Sequence, residues 1–385
     1  MVVKRTFKFK LYKSLKIRKL EHYLRIACFI YNHFIALQHR YYRFFGKNIN
    51  ESKMKSHLTK LCKMERFSLW KELNSTIRQD IIERIMRSYK SFFSNFKTNK
   101  KARPPKYRKI EKYKSITFKS AGWKIEDNTL YFTNYSNTLA KFKFAKSRNI
   151  DGNIKTITVK RNDLGDYYLF VVCDVEVNEV LPRMGKVVGF DFGLKYFLTT
   201  NEGKIIKTKL FFKQIRRTIQ SLNRKRSRKI GERKGEKKSK GWLKANYKLK
   251  KVYEKLCNLR ENEHYELAYK LCSKYSIMFI EDLDIKSMQR LYGKKICDLA
   301  FTNFVKTLEY VAKKCGCIVH KINRYYASSQ TCSQCGQLNP EVKDLKIRKW
   351  KCPHCGKEHD RDVNAAINIL MQGIKELGLE YSIAY

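Results

Sequence analysis

Acidic residues are scarce in this chain of 385 residues. Asp and Glu number 35 against 84 Lys and Arg, a formal net charge of +49. Unpaired Lys and Arg are rarely buried, so this charge lies on the surface. There it repels itself unless a polyanion neutralises it. Nucleic acid is the expected partner, ahead of an anionic membrane surface. Long apolar runs are missing as well. None approaches the roughly 20 residues that cross a bilayer, so no membrane-spanning helix is expected. The first residues, "MVVKRTFKFKLYKS", alternate Phe with Lys and lack the apolar core of a secretory signal. A cytoplasmic location is the expectation, and there the 12 cysteines stay mostly reduced. A paired set of them then reads as a metal site before a disulfide framework.

Apolar residues make up 43% of the chain, enough for folded cores, and the length suits two or three domains. "TFKFKLY" (6–12) sets Phe7, Phe9 and Leu11 on one face and Lys8 and Lys10 on the other, a half-buried strand. Leu20, Leu24, Ala27, Tyr31 and Phe34 recur at helical spacing. So do Trp70, Leu73, Ile77, Ile81, Ile85, Tyr89 and Phe92. Residues 14–97 therefore read as a helical block. Pro104 and Pro105 force an extended path after it. The short runs "KSITF", "WKIED", "TLYFT", "KFKFA", "IKTITVK" and "YYLFVVCDVEV" then predict a small β-barrel over 98–183. The first strand completes it, with the helical block inserted.

"LPRMGK" (181–186) marks a boundary. Beyond it "VVGFDFG", with "KYFLTT" as hairpin partner, leads through a long helix ending near Lys274 to "SIMFIEDLD". A helix over about 298–314 and the strand "CIVHKIN" follow. Strands alternating with helices predict an α/β domain, so the whole chain is α+β multidomain. A very basic segment, 223–251, interrupts the α/β part. It reads equally well as a nucleic-acid contact and as a solvated face. Trp70, Trp123 and Trp242 could stack on bases, but Trp70 sits at core spacing.

Cys332-x-x-Cys335 and Cys352-x-x-Cys355 fit a four-cysteine zinc site. Four thiolates leave zinc no open position, so the ion would be structural. His354 and His359 read as solvent-facing, and Cys28, Cys173 and Cys272 as core. Separately, three acids stand where two-metal phosphodiester hydrolysis would need them. Asp191 ends "VVGFD", with Gly193 permitting the turn, and Glu281 ends "IMFIE". Asp362 would open a helix, where the dipole favours its ionised form. Each has a plainer reading: Asp191 as a turn residue, Glu281 and Asp282 as a surface strand end, Asp362 as a helix cap. Asp191-Phe192-Gly193 also matches the magnesium motif of kinases. Without a glycine-rich phosphate loop or a catalytic-loop signature that reading is excluded.

Together these motifs resemble TnpB, the family of transposon-associated RNA-guided DNA endonucleases related to type V CRISPR effectors. "GFDFGLKYFLTT", "FIEDLDIKSM" and "YASSQTCSQCG…WKCPHCGKEHDRDVNAAINI" match three nuclease motifs and a zinc-ribbon insertion. "FKFKLY", "FIYNHF" and "RPPKYRK" match the N-terminal half more loosely. The resemblance implies a RuvC-like (RNase H fold) nuclease domain over 184–327 and 360–385, with a zinc ribbon at 328–359. It implies a wedge-like barrel over 1–13 and 98–183, and a helical recognition domain over 14–97. The implied catalytic acids are Asp191, Glu281 and Asp362, holding two magnesium ions; Asp360 stands outside the motif. The implied partners are a guide RNA and double-stranded target DNA read beside a target-adjacent motif, in a monomer from a prokaryotic host. Two rivals remain: a nuclease-inactive RNA-guided repressor, disfavoured because all three acids are present, and a conventional DNA transposase.

Overall fold

The computed structural model describes residues 2–99, 101–119, 121–133, 139–176, 185–229, 238–344 and 346–379. It divides into two compact units, residues 1–178 and 179–385. Most of the boundary segment "LPRMGK" lies outside the described residues.

The N-terminal unit opens with β1 (Val2–Lys10), followed by helices α1 (Ile17–Phe45), α2 (Glu51–Lys63) and α3 (Ser75–Thr98). Trp70 and Leu73, expected on the last of these helices, precede it. A 3₁₀ turn spans Glu65–Glu72, and Asn74 caps α3 by accepting from the Thr76 amide at 2.9 Å. Strands β2 (Ser115–Phe118), β3 (Trp123–Glu126), β4 (Thr129–Thr133), β5 (Leu139–Lys143), β6 (Asn153–Arg161) and β7 (Tyr167–Glu176) follow. They form a four-stranded sheet, β1-β7-β6-β2, and a three-stranded sheet, β3-β4-β5, with a bridge between Leu11 and Phe144. The first strand does reach across the sequence: Phe7 pairs with Val171 and Phe9 with Leu169. Phe9, Phe34, Ile85 and Leu169 share one core, so helices and sheets bury their apolar faces together.

The C-terminal unit begins with β8 (Lys186–Asp191), β9 (Leu198–Thr200) and β10 (Ile205–Ile206), then α4 (Phe211–Ser227) and α5 (Lys240–Lys274). The basic segment is thus largely helical, not a plain interruption. Its residues 230–237 lie outside those described. Next come β11 (Tyr275–Glu281), α6 (Ile285–Leu299), α7 (Phe301–Cys315), β12 (Ile318–Ile322), β13 (Lys349–Lys351), β14 (Glu358–Asp360) and α8 (Arg361–Leu377).

The main sheet runs β10-β9-β8-β11-β12, with β8, β11 and β12 parallel. Alternation along β11 splits its burial between two faces. Met278 and Ile280 join Ala268, Leu271, Leu308 and Val311 of α5 and α7. Phe279 joins Ile369, Leu370 and Ile374 of α8. Two glycines let α8 lie close. A Cβ on Gly189 would stand 2.2 Å from the Ala366 carbonyl oxygen, and one on Gly373 would stand 2.0 Å from the Phe279 ring.

Candidate active site

Parallel pairing sets the first two acids side by side. Ile280 is in register with Phe190, so Glu281 and Asp191, the next residues along, leave the sheet at the same end. Gly193 allows the chain to turn tightly there, since a Cβ would meet the Tyr196 carbonyl oxygen at 2.7 Å. The third acid arrives from the opposite layer. Ala366 touches Gly189, and Asp362 lies one turn earlier on α8, near the end of β8.

The structure assigns the cap of this helix to one of its two neighbouring acids. Asp360 is the cap: its Oδ1 accepts from the amides of Asp362 at 3.0 Å and Val363 at 3.1 Å. Asp362 is therefore released from that duty. Its carboxylate instead pairs with Arg348, at 3.1 and 3.4 Å to its two oxygens. Asp282 is also a partner rather than a member of the group, since Arg324 binds it.

Electrostatics tie the three acids together. Burial pushes the Asp191 carboxyl well above its usual range, and the charges of Glu281 and Asp362 push it further. Arg361 and Arg348 offset part of this. Burial also raises Glu281, which accepts a hydrogen bond from the Ser328 hydroxyl. Mutual repulsion of this kind is what a divalent cation relieves, so the donor set suits a hard, oxygen-loving ion. The carboxylates do not converge as tightly as the cysteines. Among the described residues, only the four cysteines form a cluster whose ligand atoms lie within 4.8 Å of one another.

That cluster is built from two matching knuckles, "CSQCG" and "CPHCG". Each first cysteine accepts the amide of its glycine at 2.9 Å, and Gly336 and Gly356 take φ of +74° and +72°. Sulfur pairs Cys332–Cys355 and Cys335–Cys352 stand 3.7 Å apart. A zinc tetrahedron with bonds of about 2.3 Å has edges of about 3.8 Å. Amides of Cys355 and His354 lower the Cys352 thiol to about 6, while its neighbouring thiols raise Cys335 to about 12, a mutual repulsion that a bound cation would relieve. His354 is exposed as expected, but His359 is not. It is buried, its Nε2 lies 3.1 Å from Cys332 Sγ, and its ring packs on Trp350. The alternation of β14, which turns His359 inward between exposed Glu358 and Asp360, explains the difference.

Asparagines sew this knuckle to α8. Asn364 accepts the Ser333 amide at 2.9 Å and donates to the Thr331 carbonyl at 2.8 Å. Asn368 donates to the carbonyls of Ser328 and Thr331. Ser328 and Arg348 were not found by reading the sequence. Among Lys346, Arg348, Lys349 and Lys351, nothing in composition marks the one that meets an acid.

Two family descriptions match the chain: "Probable transposase" (OrfB_IS605) over residues 170–291, and "Cas12f1-like, TNB domain" over residues 301–369. A "Putative RNA-guided DNA endonuclease" of Streptomyces pristinaespiralis is 26% identical over 97% of this chain and 90% of its own length. "TnpB-like protein L79" of Acanthamoeba polyphaga mimivirus is 28% identical over 57% of this chain and 44% of its own. Among solved structures, Cas12f1 from a cryo-EM Cas12f1–sgRNA–target DNA complex superposes with a TM-score of 0.58. It is 17% identical, over 96% of this chain and 98% of that one. This likeness defines the class: an α+β protein of Cas12f-like fold. Within that class the chain is similar to putative RNA-guided DNA endonucleases and to TnpB-like proteins.

Proposed function

We propose that the protein is a guide-RNA-directed, metal-dependent DNA endonuclease encoded by an insertion-sequence transposon. The observation that carries this reading is the meeting of Asp191, Glu281 and Asp362, from three distant segments, with charges that press on one another. In this reading residues 184–327 and 360–385 are a RuvC-like nuclease domain, and 328–359 are a zinc ribbon with its own small core around Trp350 and Val342. Residues 1–13 and 98–183 are the wedge-like barrel and 14–97 the recognition block. The partners are a guide RNA and double-stranded DNA, in keeping with the net charge of +49 and with the names of the relatives.

Asp191, Glu281 and Asp362 would hold two magnesium ions, which when bound supply an activated water and charge neutralisation at the leaving oxygen. The remaining work belongs to the chain. Ser328 fixes one oxygen of Glu281 and leaves the other free. The Asp360 cap holds the first turn of α8, and so holds Asp362. Arg348 steadies Asp362 with one guanidinium nitrogen, and the remaining lone pairs of that carboxylate would be available to a cation.

The test is plasmid cleavage by protein carrying its co-purified RNA, on a target matched to that RNA. Asp191→Ala, Glu281→Ala and Asp362→Ala should each lower cutting of both strands at least a hundredfold while DNA binding survives. Calcium should support binding but little cleavage. Asp360→Asn, which keeps the cap acceptor, should cut normally. Near wild-type cleavage by any of the three alanine variants would sink the shared-metal reading. Activity on unguided DNA by RNA-free protein would point to the transposase instead.

A further inference from the structure

Tyr325 is the most exposed large apolar side chain among the described residues, at 89%. An exposed tyrosine on a loose loop means little. This one stands on a braced loop, between the two residues that fasten the acid-bearing strand. On one side Arg324 donates from Nε to the Asp282 carbonyl at 3.2 Å and binds the Asp282 carboxylate. On the other side, Ser328 donates to Glu281 itself. The Tyr325 amide is held by Asn323 Oδ1 at 3.0 Å. The Asn323 amide is held by Glu376 of α8 at 3.2 Å. The Tyr326 amide closes the turn onto the Asn323 carbonyl at 3.2 Å, and its ring packs on the core beneath α8. The loop therefore meets its ordering cost in folding, and presents one exposed aromatic ring on the segment that is bonded to Glu281 and Asp282.

We infer that Tyr325 is a nucleobase-stacking subsite, which grips one unpaired base of the substrate strand next to the phosphate attacked at Asp191, Glu281 and Asp362. Every base has a π-face, so such a platform positions a strand without reading its sequence. It needs the base unpaired, because a paired base offers its faces only to its neighbours in the stack. The inference rests on the nuclease reading given above. Tyr325 is then a positioning residue: it fixes where the strand lies and takes no part in proton or metal chemistry.

Because the ring is exposed, its replacement leaves the fold intact, and stacking can be separated from packing. RNA-loaded protein with matched target DNA is assayed in single turnover for wild type, Tyr325→Phe, Tyr325→Leu and Tyr325→Ala. Stacking is worth about 1–3 kcal/mol per base, so Ala and Leu should slow cleavage by about tenfold or more, while Phe stays within about twofold. In calcium, 2-aminopurine placed base by base along the target strands should be quenched at one position in wild type and in Phe, but not in Ala or Leu. Equal rates for Ala and wild type, Leu matching Phe, or quenching that survives in Ala would overturn the inference. If wild type itself does not cut, the nuclease reading has failed, and the fluorescence in calcium still decides whether Tyr325 stacks.

Discussion

Asp360 and Asp362 stand two residues apart and do different work, which shows how finely residue identity is used here. A lone sequence offers either as the helix cap; the hydrogen bonds to Asp360 assign that role and leave Asp362 free of it, as the proposed site requires. The proposed acids Asp191 and Glu281 stand out in the sequence because each ends a strongly apolar run, at the end of the sheet where β8 and β11 finish side by side. Ser328 and Arg348 do not, because each acts through a partner far away in sequence. A third residue of this kind makes stability depend on pH. His264 is buried, stacks on Phe197 with centroids 6.1 Å apart, and meets the edge of Phe304 at 5.5 Å. Burial lowers it to about 4 from its ordinary 6.5, against a hydrogen bond to the Leu299 backbone that raises it. It is therefore neutral in the folded chain, while the unfolded chain takes up a proton as pH falls below 6.5. Its contribution is whole above that value and is lost down to about 4, an effect of about 3 kcal/mol. Thermal unfolding of His264→Phe should show a shallower fall in Tm between those pH values than wild type. Parallel curves would show that another group carries the acid sensitivity.

At the scale of elements, periodicity finds most of the strands and helices but misses the short β10, β13 and β14 and the helices α4 and α6. The helix expected over about 298–314 is α7, but α6 before it has no counterpart in the sequence reading, and the two divide at Ala300, whose φ of +50° breaks the run. No glycine or proline announces that break. The close seat of α8 was equally hidden. Gly189 reads as one more small residue in an apolar strand, yet Gly189→Ala would drive its methyl against a backbone carbonyl, which cannot yield as a side chain can. It should cost about 1–3 kcal/mol of stability and displace Asp362 from Asp191. The expected result is a lower Tm together with impaired cleavage; normal cleavage would show that the helix is not set by this contact. The ribbon makes a similar demand from its other side. Cys352→Ser should lower zinc content, measured by elemental analysis, from about one ion per chain. Because Arg348 and the Asn364–Ser333 bond link ribbon to helix, the same variant should also weaken cleavage. Full zinc occupancy with full activity would contradict both assignments.

For the whole molecule the governing fact is charge, and it was legible from composition alone. The sequence also locates one concentration of it, at 223–251, but which faces carry it becomes legible only with the helices in place. α4 carries Lys213, Arg216, Arg217, Arg224, Lys225 and Arg226 and no acid. Along the first turns of α5, Leu243, Lys244, Tyr247, Lys248, Lys251 and Lys255 recur on one exposed face. The opposite face buries Ala245, Leu249 and Leu256. The part of the basic segment that lies on α5, open in the sequence between a solvated face and a nucleic-acid contact, is thus a stripe of lysines with aromatic and aliphatic side chains between them. Exposed like charges at i, i+3 and i+4 repel, so the stripe costs stability in the free protein and gains when a phosphate backbone lies along it. Salt dependence measures that gain. Each phosphate contact adds roughly 0.7 to 0.9 to the log–log slope of affinity against salt, the lower figure for single strands. Replacing Lys244, Lys248 and Lys251 together by Gln should leave the fold unchanged and reduce the slope for the co-purified RNA by about 2. The same measurement on target DNA, with the RNA already loaded, shows which nucleic acid occupies the stripe. A slope unchanged for both would make this face solvated charge, and the neutralising contacts would have to be sought on other basic surfaces of the chain.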